Sequence, residues 1–324
     1  MPRQTIVGNY RRRFADIQDS PAPTVADIGE FGLIARLTGA RPAPADAVVG
    51  NGDDAAVLRA PDGRFVVSTD MLVQDRHFRL DWSSPKDVGH KAIAQNGADI
   101  AAMGARATAF VVALGCPADT PVRWLDELDA GMWDEVARCG GAIVGGDLVR
   151  ADTLVISVTA FGDLDGRAPV LRSGARPGDA LALAGRVGPS AAGYAALRAG
   201  VASPFVSAHL APRPPYAAGP QAAAAGATAM TDVSDGLLSD AGHLATASGV
   251  AVDIDSAALG DPELAAAGDG WLGWVLTGGE DHALLATFPG VIPDGWRVIG
   301  SVATGSGVTV DGGAWQGATG WTSF

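Results

Sequence analysis

The sequence predicts an α/β protein of two domains. Short apolar runs typical of strands alternate along the chain with segments whose apolar residues recur at helical spacing. Several strands end in Gly, Ser or Thr followed by Asp, and ligands of α/β folds bind at the carboxyl ends of strands. The 324 residues suffice for two domains of about 150 residues each.

The predicted domain boundaries follow from composition. Residues 1–28 carry Arg11-Arg12-Arg13 and a Pro/Ala-rich stretch, and we interpret them as a mobile N-terminal tail. Residues 162–168 are interpreted as a linker. The first domain therefore spans residues 29–163, and the second spans residues 164–324.

The first domain begins with a short amphipathic helix at residues 29–37, and a strand runs from Arg64 to Asp70. Ser84 is a favoured N-cap residue and Pro85 suits the first helical position, which predicts a helix that continues to about Met103. Asp87 and Lys91 lie four residues apart on this helix, which predicts a surface ion pair. The later elements are strands at 107–114, 142–147 and 153–161 and a helix at 121–138.

The second domain is predicted around the stretch from Ala229 to Asp240, which has the pattern of a strand, a tight turn and a helix. Before this stretch come a strand at 181–184, a helix at 188–198 and a Pro-rich turn at 212–216. After it come a strand at 250–254 and the sequence Thr277-Gly278-Gly279-Glu280-Asp281, which leads into another apolar strand.

The turn in this stretch carries Asp232, Ser234 and Asp235. One interpretation is that Ser234 and Asp235 only cap the helix, because their side-chain oxygens can accept its unpaired N–H groups. A cap requires one such residue, whereas this turn supplies three, which favours a functional site.

The same pattern of strand followed by carboxylate recurs in both halves, at Asp54, Asp70, Asp147, Asp232 and Asp235. Carboxylates gathered in one cleft would repel one another, so the pattern predicts bound divalent cations, which prefer oxygen ligands. Two alternatives stay open. Asp54 lies in a Gly-rich turn where a solvated Asx-turn residue is common, and Asp99, on a packed helix, is either functional or part of a buried Asp–Arg pair.

Composition excludes several classes of protein. The net charge of −13 disfavours nucleic acid as a partner, and the chain has no apolar run of about 18 residues that would span a membrane. The first residues lack the apolar segment of a secretory signal, and Cys116 and Cys139 have no metal-site spacing, which predicts reduced thiols in a cytoplasmic protein. The sequence also lacks a P-loop motif, so a nucleoside triphosphate would be held by carboxylate-bound Mg²⁺ and by arginines such as Arg150 and Arg172.

The order of these motifs from Gly29 to the end of the chain resembles the thiamine-monophosphate kinase family, within the aminoimidazole-ribonucleotide synthetase superfamily. The segments that carry the resemblance are Gly29-Glu30-Phe31, Gly52-Asp53-Asp54-Ala55-Ala56, Ser68-Thr69-Asp70, His77-Phe78, the run from Asp99 to Gly104, Gly145-Gly146-Asp147, the run from Arg172 to Asp179, the run from Asp232 to Gly236, and Gly278-Gly279-Glu280-Asp281.

The resemblance implies transfer of the γ-phosphoryl group of ATP to thiamine phosphate, giving thiamine diphosphate. It also implies a two-domain superfamily fold in which the N-terminal sheet domains pair in a homodimer beside α/β C-terminal domains. The residues that it assigns to Mg²⁺ are Asp54, Ser68, Thr69, Asp70, Asp99, Asp147, Asp232 and Asp235. It assigns ATP to Gly146, Asp147, Arg172 and Ser234, and thiamine phosphate to His77, Glu280 and Trp321.

An aromatic face at Trp321 suits this substrate, because it attracts the thiazolium cation of thiamine. No general base is assigned, since the acceptor is already an ionised phosphate oxygen. Within the superfamily, selenophosphate synthesis and hydrogenase maturation use cysteines in positions that Cys116 and Cys139 do not match. A ligase of the aminoimidazole-ribonucleotide synthetase type lacks the Gly-Gly-Glu-Asp and terminal Trp features. The alternative from another class is a non-catalytic thiamine-phosphate-binding protein.

Overall fold

The computed structural model describes residues 23–39, 46–49 and 55–321, and the chain divides into two compact units. The N-terminal unit comprises the described residues up to Asn96 together with Ala107–Asp163 and Leu197–Ala202. The C-terminal unit comprises Gly97–Arg106, Leu164–Ala196 and the chain from Ser203 onward. Among the described helices, none has the length and the apolar character that a bilayer crossing requires.

The N-terminal unit is built on a four-stranded sheet of order β3-β6-β4-β5. Its strands are β3 (Val66–Val73), β4 (Arg106–Cys116), β5 (Ile143–Arg150) and β6 (Val155–Asp163). β3 pairs antiparallel with β6, and β4 pairs parallel with β5, so β3 and β5 are the two edges of the sheet. A separate two-stranded sheet pairs β1 (Ala47–Val49) with β2 (Val57–Leu58).

Three described helices lie before and between these strands along the chain: α1 (Val25–Thr38), α2 (Pro85–Ala102) and α3 (Val122–Cys139). The carboxylate of Asp27 accepts hydrogen bonds from the backbone N–H and the hydroxyl of Thr24, both at 2.8 Å, which fixes the start of α1. The helix therefore includes residues 25–28, which the sequence analysis assigned to the tail. The rest of that predicted tail, residues 1–22, lies outside the described residues.

Two strands of this unit run further than the sequence indicated. β3 continues through Asp70 to Val73, and β5 continues through Asp147 to Arg150. The expectation that these two carboxylates end their strands was wrong, because the apolar residues after each Asp keep the extended pattern. Both side chains therefore project from the sheet itself.

The start of α2 matches the prediction, whereas the predicted surface pair does not. Asp87 accepts hydrogen bonds from the N–H and the hydroxyl of Ser84, at 2.9 and 2.7 Å. Lys91 is buried, and its ammonium donates to the backbone carbonyl of His77 at 3.0 Å. The expected ion pair between Asp87 and Lys91 was wrong, because the lysine turns inward to this carbonyl while Asp87 bonds to Ser84 at the start of the helix.

The C-terminal unit is built on a six-stranded sheet of order β12-β9-β11-β7-β10-β8. β12 pairs parallel with β9, and the other pairs of the sheet are antiparallel. Its strands are β7 (Ala180–Ala184), β8 (Ala229–Val233), β9 (Ala251–Ile254), β10 (Ala283–Phe288), β11 (Trp296–Ala303) and β12 (Gly307–Val310).

The helices of this unit are mostly short. They are α4 (Pro189–Ala199), α5 (Val206–Leu210), α6 (Ala218–Ala224), α7 (Leu237–Ser248), α8 (Pro262–Ala267) and α9 (Trp271–Thr277), with a 3₁₀ turn at Ala257–Leu259. The sequence patterns did not predict α5, α6, α8, α9, β11 or β12. Most of these segments have four to seven residues, which is too short to establish a hydrophobic period.

Two neighbouring strands of this sheet, β7 and β10, are buried on both faces. Leu181 and Leu183 of β7 pack into a large core with α7 and α9, whereas Ala182 and Ala184 pack on the opposite face with Phe288 and Trp296 of other strands. Small residues on the second face allow the two aromatic rings to approach, with centroids 5.4 Å apart. This double burial makes β7 and β10 a rigid support for the neighbouring β8.

Close contact between α2 and α3 in the N-terminal unit depends on two glycines. A Cβ added at Gly89 would lie 2.0 Å from the carbonyl oxygen of Leu128, and one added at Gly131 would lie 2.1 Å from that of Lys86. Both obstacles are backbone atoms, which cannot turn aside as a flexible side chain would.

We therefore expect Gly131→Ala to lower the free energy of unfolding by about 1–3 kcal/mol, because the two helices must separate to admit the methyl group. The matched control is Gly242→Ala in α7, where an added Cβ meets nothing within 4 Å. That change should be neutral or stabilise by up to about 1 kcal/mol through helix propensity. Urea denaturation of both variants measures the difference, and equal stabilities would contradict the packing argument.

Candidate functional site

The candidate site of the C-terminal unit is the turn between β8 and α7. Asp232 lies in β8, and Ser234, Asp235 and Gly236 lead into the helix, which begins at Leu237. Gly236 has a φ of 125°, and an added Cβ would lie 2.9 Å from the backbone of Thr277. Only glycine adopts this conformation without strain, so the sharp turn is encoded locally.

The carboxylate of Asp240 holds this turn in place. Its Oδ2 accepts hydrogen bonds from the backbone N–H groups of Ser234, Asp235 and Gly236, at 3.0, 3.1 and 3.2 Å. The N-cap of α7 is Gly236, and no side chain caps the helix. The interpretation in which Ser234 and Asp235 act as helix caps was therefore wrong, because Asp240 reaches back from the first turn of the helix to the N–H groups of the loop.

Several carboxylates crowd together at this turn. Burial and the negative charges of Asp232 and Asp235 together raise the pKa of Asp240 to about 7. Burial also raises the pKa of Asp235, with His243 opposing the shift and Asp232 adding to it. One ligand atom each from Asp235, Asp240 and His243 lies within 4.8 Å of the others. This concentration of negative charge suits a divalent cation, and oxygen-rich donors of this kind favour a hard one.

Asp232, a predicted metal ligand, is held by a buried histidine. Nδ1 of His282 lies 3.2 Å from Oδ2 of Asp232. Burial lowers the pKa of His282, but the hydrogen bond and charge of Asp232 outweigh it and, together with the charges of Glu280 and Asp99, raise that pKa. Asp99, half-buried near the end of α2, therefore acts electrostatically on the same pair.

The predicted substrate residues Glu280 and Trp321 are attached to the same turn. The N–H of Glu280 donates to the carbonyl of Ser234 at 2.7 Å, and the N–H of Trp321 donates to the adjacent carbonyl of Asp235 at 2.8 Å. Gly279 and Gly320 make these approaches possible, because an added Cβ at either would lie 2.5 Å from the same carbonyl oxygens. The indole of Trp321 is 60% exposed.

The backbone of Glu280 is strained. Its φ of 65° is in the left-handed region, which costs a non-glycine residue about 1–3 kcal/mol. Such strain persists only where surrounding contacts enforce it, and it is common at binding sites. Arg172, predicted to contact ATP, is close enough to the turn for its charge to lower the pKa of Asp235 against the effect of burial.

In the N-terminal unit, the predicted ligands Ser68, Thr69 and Asp70 do not share one face of β3. Successive side chains of a strand point to opposite faces. Ser68 and Asp70 are half-buried, and the N–H of Asp70 donates to Oδ1 of the buried Asn96 in α2, at 3.1 Å. The hydroxyl of Thr69, on the other face, donates to the carbonyl of Val158 at 3.0 Å.

Gly146 and Asp147 lie on β5, at the opposite edge of the sheet from Asp70. Two strands separate β3 from β5, so their backbones are about 14 Å apart at the usual strand spacing. Asp70 and Asp147 are therefore not adjacent within this sheet. Gly146 also has a structural role, since an added Cβ would lie 2.0 Å from the carbonyl oxygen of Val112.

His77, the third predicted substrate residue, lies in the turn after β3. Its Nδ1 accepts a hydrogen bond from the N–H of Val73 at 3.0 Å, and Lys91 holds its carbonyl. These two contacts fix both the ring and the backbone of His77 while the residue remains exposed. Asp54 of the predicted metal set lies outside the described residues.

Sequence reasoning missed Asp240, His243 and His282 as members of the site. Asp240 and His243 follow the turn at helical spacing, which is a usable signal only once the helix start is known. His282 directly follows the Gly-Gly-Glu-Asp sequence, but its contact with Asp232 joins residues 50 positions apart and depends on the pairing of β8 with β10.

Comparison with known proteins assigns both halves of the chain to described domain families. Residues 52–164 match the model of the AIR synthase related protein N-terminal domain, and residues 176–288 match that of the corresponding C-terminal domain. A thiamine-monophosphate kinase of Mycobacterium tuberculosis is 58% identical over 94% of this chain and 94% of that protein.

This chain belongs to the thiamine-monophosphate kinase family. The family resemblance inferred from the sequence and the predicted α/β two-domain fold class are confirmed. The crystal structure of thiamine-monophosphate kinase from Stenotrophomonas maltophilia superposes with a TM-score of 0.77 at 31% identity, covering 87% of this chain and 95% of that one. A structure described as AaThiL complexed with AMPPCP and TMP gives a TM-score of 0.76 at 30% identity, covering 94% and 100%.

The role of Asp240 in this kinase-family turn can be tested by substitution. We expect Asp240→Ala to lower the free energy of unfolding by about 3 kcal/mol, because three loop N–H groups lose their acceptor. Asp240→Asn keeps an acceptor oxygen in the same place and should retain most of the stability. Chemical denaturation measures both variants, and an alanine variant as stable as the asparagine variant would show that the turn does not depend on this carboxylate.

Proposed function

We propose that this chain transfers the γ-phosphoryl group of ATP to the phosphate of thiamine phosphate, giving thiamine diphosphate and ADP. The observation that carries the proposal is the β8–α7 turn. One short loop presents Asp232, Ser234 and Asp235, and its consecutive carbonyls hold Glu280 and Trp321. A relative that is 58% identical over nearly the whole chain is named for this activity.

We propose Mg²⁺ as the metal, bound as several ions. The ligand set would be Asp54, Ser68, Thr69, Asp70, Asp99, Asp147, Asp232 and Asp235. Oxygen donors and the mutual repulsion of the carboxylates at the β8–α7 turn fit a hard divalent cation. When bound, Mg²⁺ would neutralise phosphate charge and help to align the two substrates.

The residues of the chain would bind and orient the two substrates, ATP and thiamine phosphate. Ser234, Arg172, Gly146 and Asp147 are proposed to contact ATP, and the forked guanidinium of Arg172 suits a phosphate. Glu280, Trp321 and His77 are proposed to contact thiamine phosphate, with the exposed indole of Trp321 facing the thiazolium cation. Phosphoryl transfer asks for positioning and charge stabilisation, and an ionised phosphate oxygen needs no general base.

The cysteines and the net charge of the chain support two further proposals, one on its location and one on its partners. Both cysteines are free, which suits a cytoplasmic protein, and the net charge of −13 argues against nucleic acid as a partner. The substrates, together with a second copy of this chain, are the proposed partners.

The coupled assay that tests this function measures Mg²⁺-dependent release of ADP on addition of thiamine phosphate. We expect Asp70→Asn to lower kcat by about 10²–10³-fold with little change in thermal stability, because the amide keeps the shape and loses the charge. The matched control is Asp62→Asn, since Asp62 is an acid that pairs with Arg64 on the surface of the same unit.

Wild-type turnover in Asp70→Asn would show that Asp70 does not belong to the proposed Mg²⁺ site. Tight binding of thiamine phosphate by the unaltered protein, with no ADP formed in saturating Mg²⁺ and ATP, would favour the alternative of a non-catalytic binding protein.

We also propose that the chain forms a homodimer through the N-terminal sheet. β3 is an edge strand, and it presents Val67 and Met71, 54% and 51% exposed, on the face opposite Ser68 and Asp70. Phe65 beside them is 60% exposed. Adjacent apolar side chains on an edge strand are a usual feature of a covered interface.

We expect Met71→Glu to shift the protein from dimer to monomer in light scattering, because a charge would be buried in the interface. Val298→Glu is the matched control, since Val298 is a similarly exposed apolar residue (46%) on a strand of the C-terminal unit. A monomeric wild type, or a Met71→Glu variant that remains dimeric, would contradict the proposed interface.

A further inference from the structure

A histidine that the kinase proposal does not use lies beside Glu280. Nδ1 of His209, on α5, is 3.1 Å from the hydroxyl of Ser190 and 3.4 Å from Oε2 of Glu280. The side chain of His209 is 12% exposed, whereas that of Glu280 is 35% exposed. One nitrogen of the imidazole therefore contacts both a buried hydroxyl and a carboxylate that reaches solvent.

The position of this imidazole is fixed from several sides. Ser190 is 1% exposed and lies at the start of α4. The ring of Tyr194, one turn further along α4, lies 5.3 Å from the ring of His209. A Cβ added at Gly193 would lie 2.3 Å from the carbonyl oxygen of Phe205, so the missing side chain lets α4 pack closely against the start of α5.

The backbone of Glu280 is tied to the same helix. Asp281 accepts hydrogen bonds from the N–H groups of Gly188 and Ser190, at 2.6 and 2.8 Å. The residue after Glu280 and the hydroxyl that contacts His209 are thus both anchored at the N-terminus of α4. This arrangement fixes the position of the strained Glu280 backbone relative to the ring of His209.

We propose that His209 is a positioning residue that orients the Glu280 carboxylate toward the cationic part of thiamine phosphate. A carboxylate repels a nitrogen lone pair, so the contact requires a proton on Nδ1, and this N–H is shared between the Glu280 carboxylate and the Ser190 hydroxyl. With this donor the carboxylate has one preferred orientation before the substrate arrives, and less conformational freedom is lost on binding. The inference rests on the proposed function, because it assumes that Glu280 contacts this substrate.

The test compares His209→Leu with His209→Gln, which retains a donor. We expect His209→Leu to raise the KM for thiamine phosphate by about 10-fold or more, with kcat and the KM for ATP changed less than about 2-fold. His209→Gln should recover part of the loss. Ser207→Ala is the matched control, since Ser207 lies on the exposed side of the same short helix and should behave as wild type.

Two further measurements separate positioning from a structural role. Calorimetric titration with thiamine phosphate alone should show the same weakening in His209→Leu at unchanged melting temperature. In a Glu280→Gln background, His209→Leu should add little, because the two residues act through one contact. An unchanged KM and Kd for thiamine phosphate, an equal loss for both substrates, or additive effects in the double variant would each overturn the proposal.

The unaltered protein separates the two hypotheses. If it binds thiamine phosphate and turns over while His209→Leu is indistinguishable from it, the positioning role fails and the proposed function stands. If the unaltered protein neither binds thiamine phosphate nor releases ADP, both fail.

Discussion

The hydrogen bonds of Asp240 are the constraint on which the C-terminal site depends. One carboxylate oxygen satisfies three consecutive N–H groups and so defines the path of the loop that presents Ser234 and Asp235. Holding an anion here is unfavourable by itself, because burial and two further carboxylates raise its pKa to about 7. A turn of this kind is stable without a ligand only to the extent that the N–H groups offset that repulsion, and bound cations would relieve the rest.

The same loop also organises the residues proposed to contact thiamine phosphate. Adjacent carbonyls accept the N–H groups of Glu280 and Trp321, so a change in the loop would move both. Two glycines permit these approaches, and Glu280 adopts a left-handed backbone conformation. Local strain at Glu280 is therefore offset by contacts with the loop and with α4, and the site is preorganised by backbone hydrogen bonds more than by side-chain packing.

The two faces of β3 in the N-terminal unit have different proposed roles. One face of β3 carries Ser68 and Asp70 against α2, and the other carries exposed apolar side chains. The alternation of a strand produces this division directly, since neighbouring residues point to opposite faces. It also places Thr69 on the other face from Ser68 and Asp70, where its hydroxyl donates to the carbonyl of Val158.

The sequence by itself determined the fold class, the family and the stretch around which the C-terminal site is built, because strand and helix periods, capping residues and ordered motifs are local properties of the chain. It placed Asp70 and Asp147 at the ends of their strands, whereas β3 continues to Val73 and β5 continues to Arg150. Only the tertiary structure decided that Asp240 binds the loop, that His282 pairs with Asp232 and that His209 lies against Glu280. The last two contacts join residues 50 and 71 positions apart (282 − 232 and 280 − 209), and sheet pairing and helix packing set such separations, which no local pattern encodes.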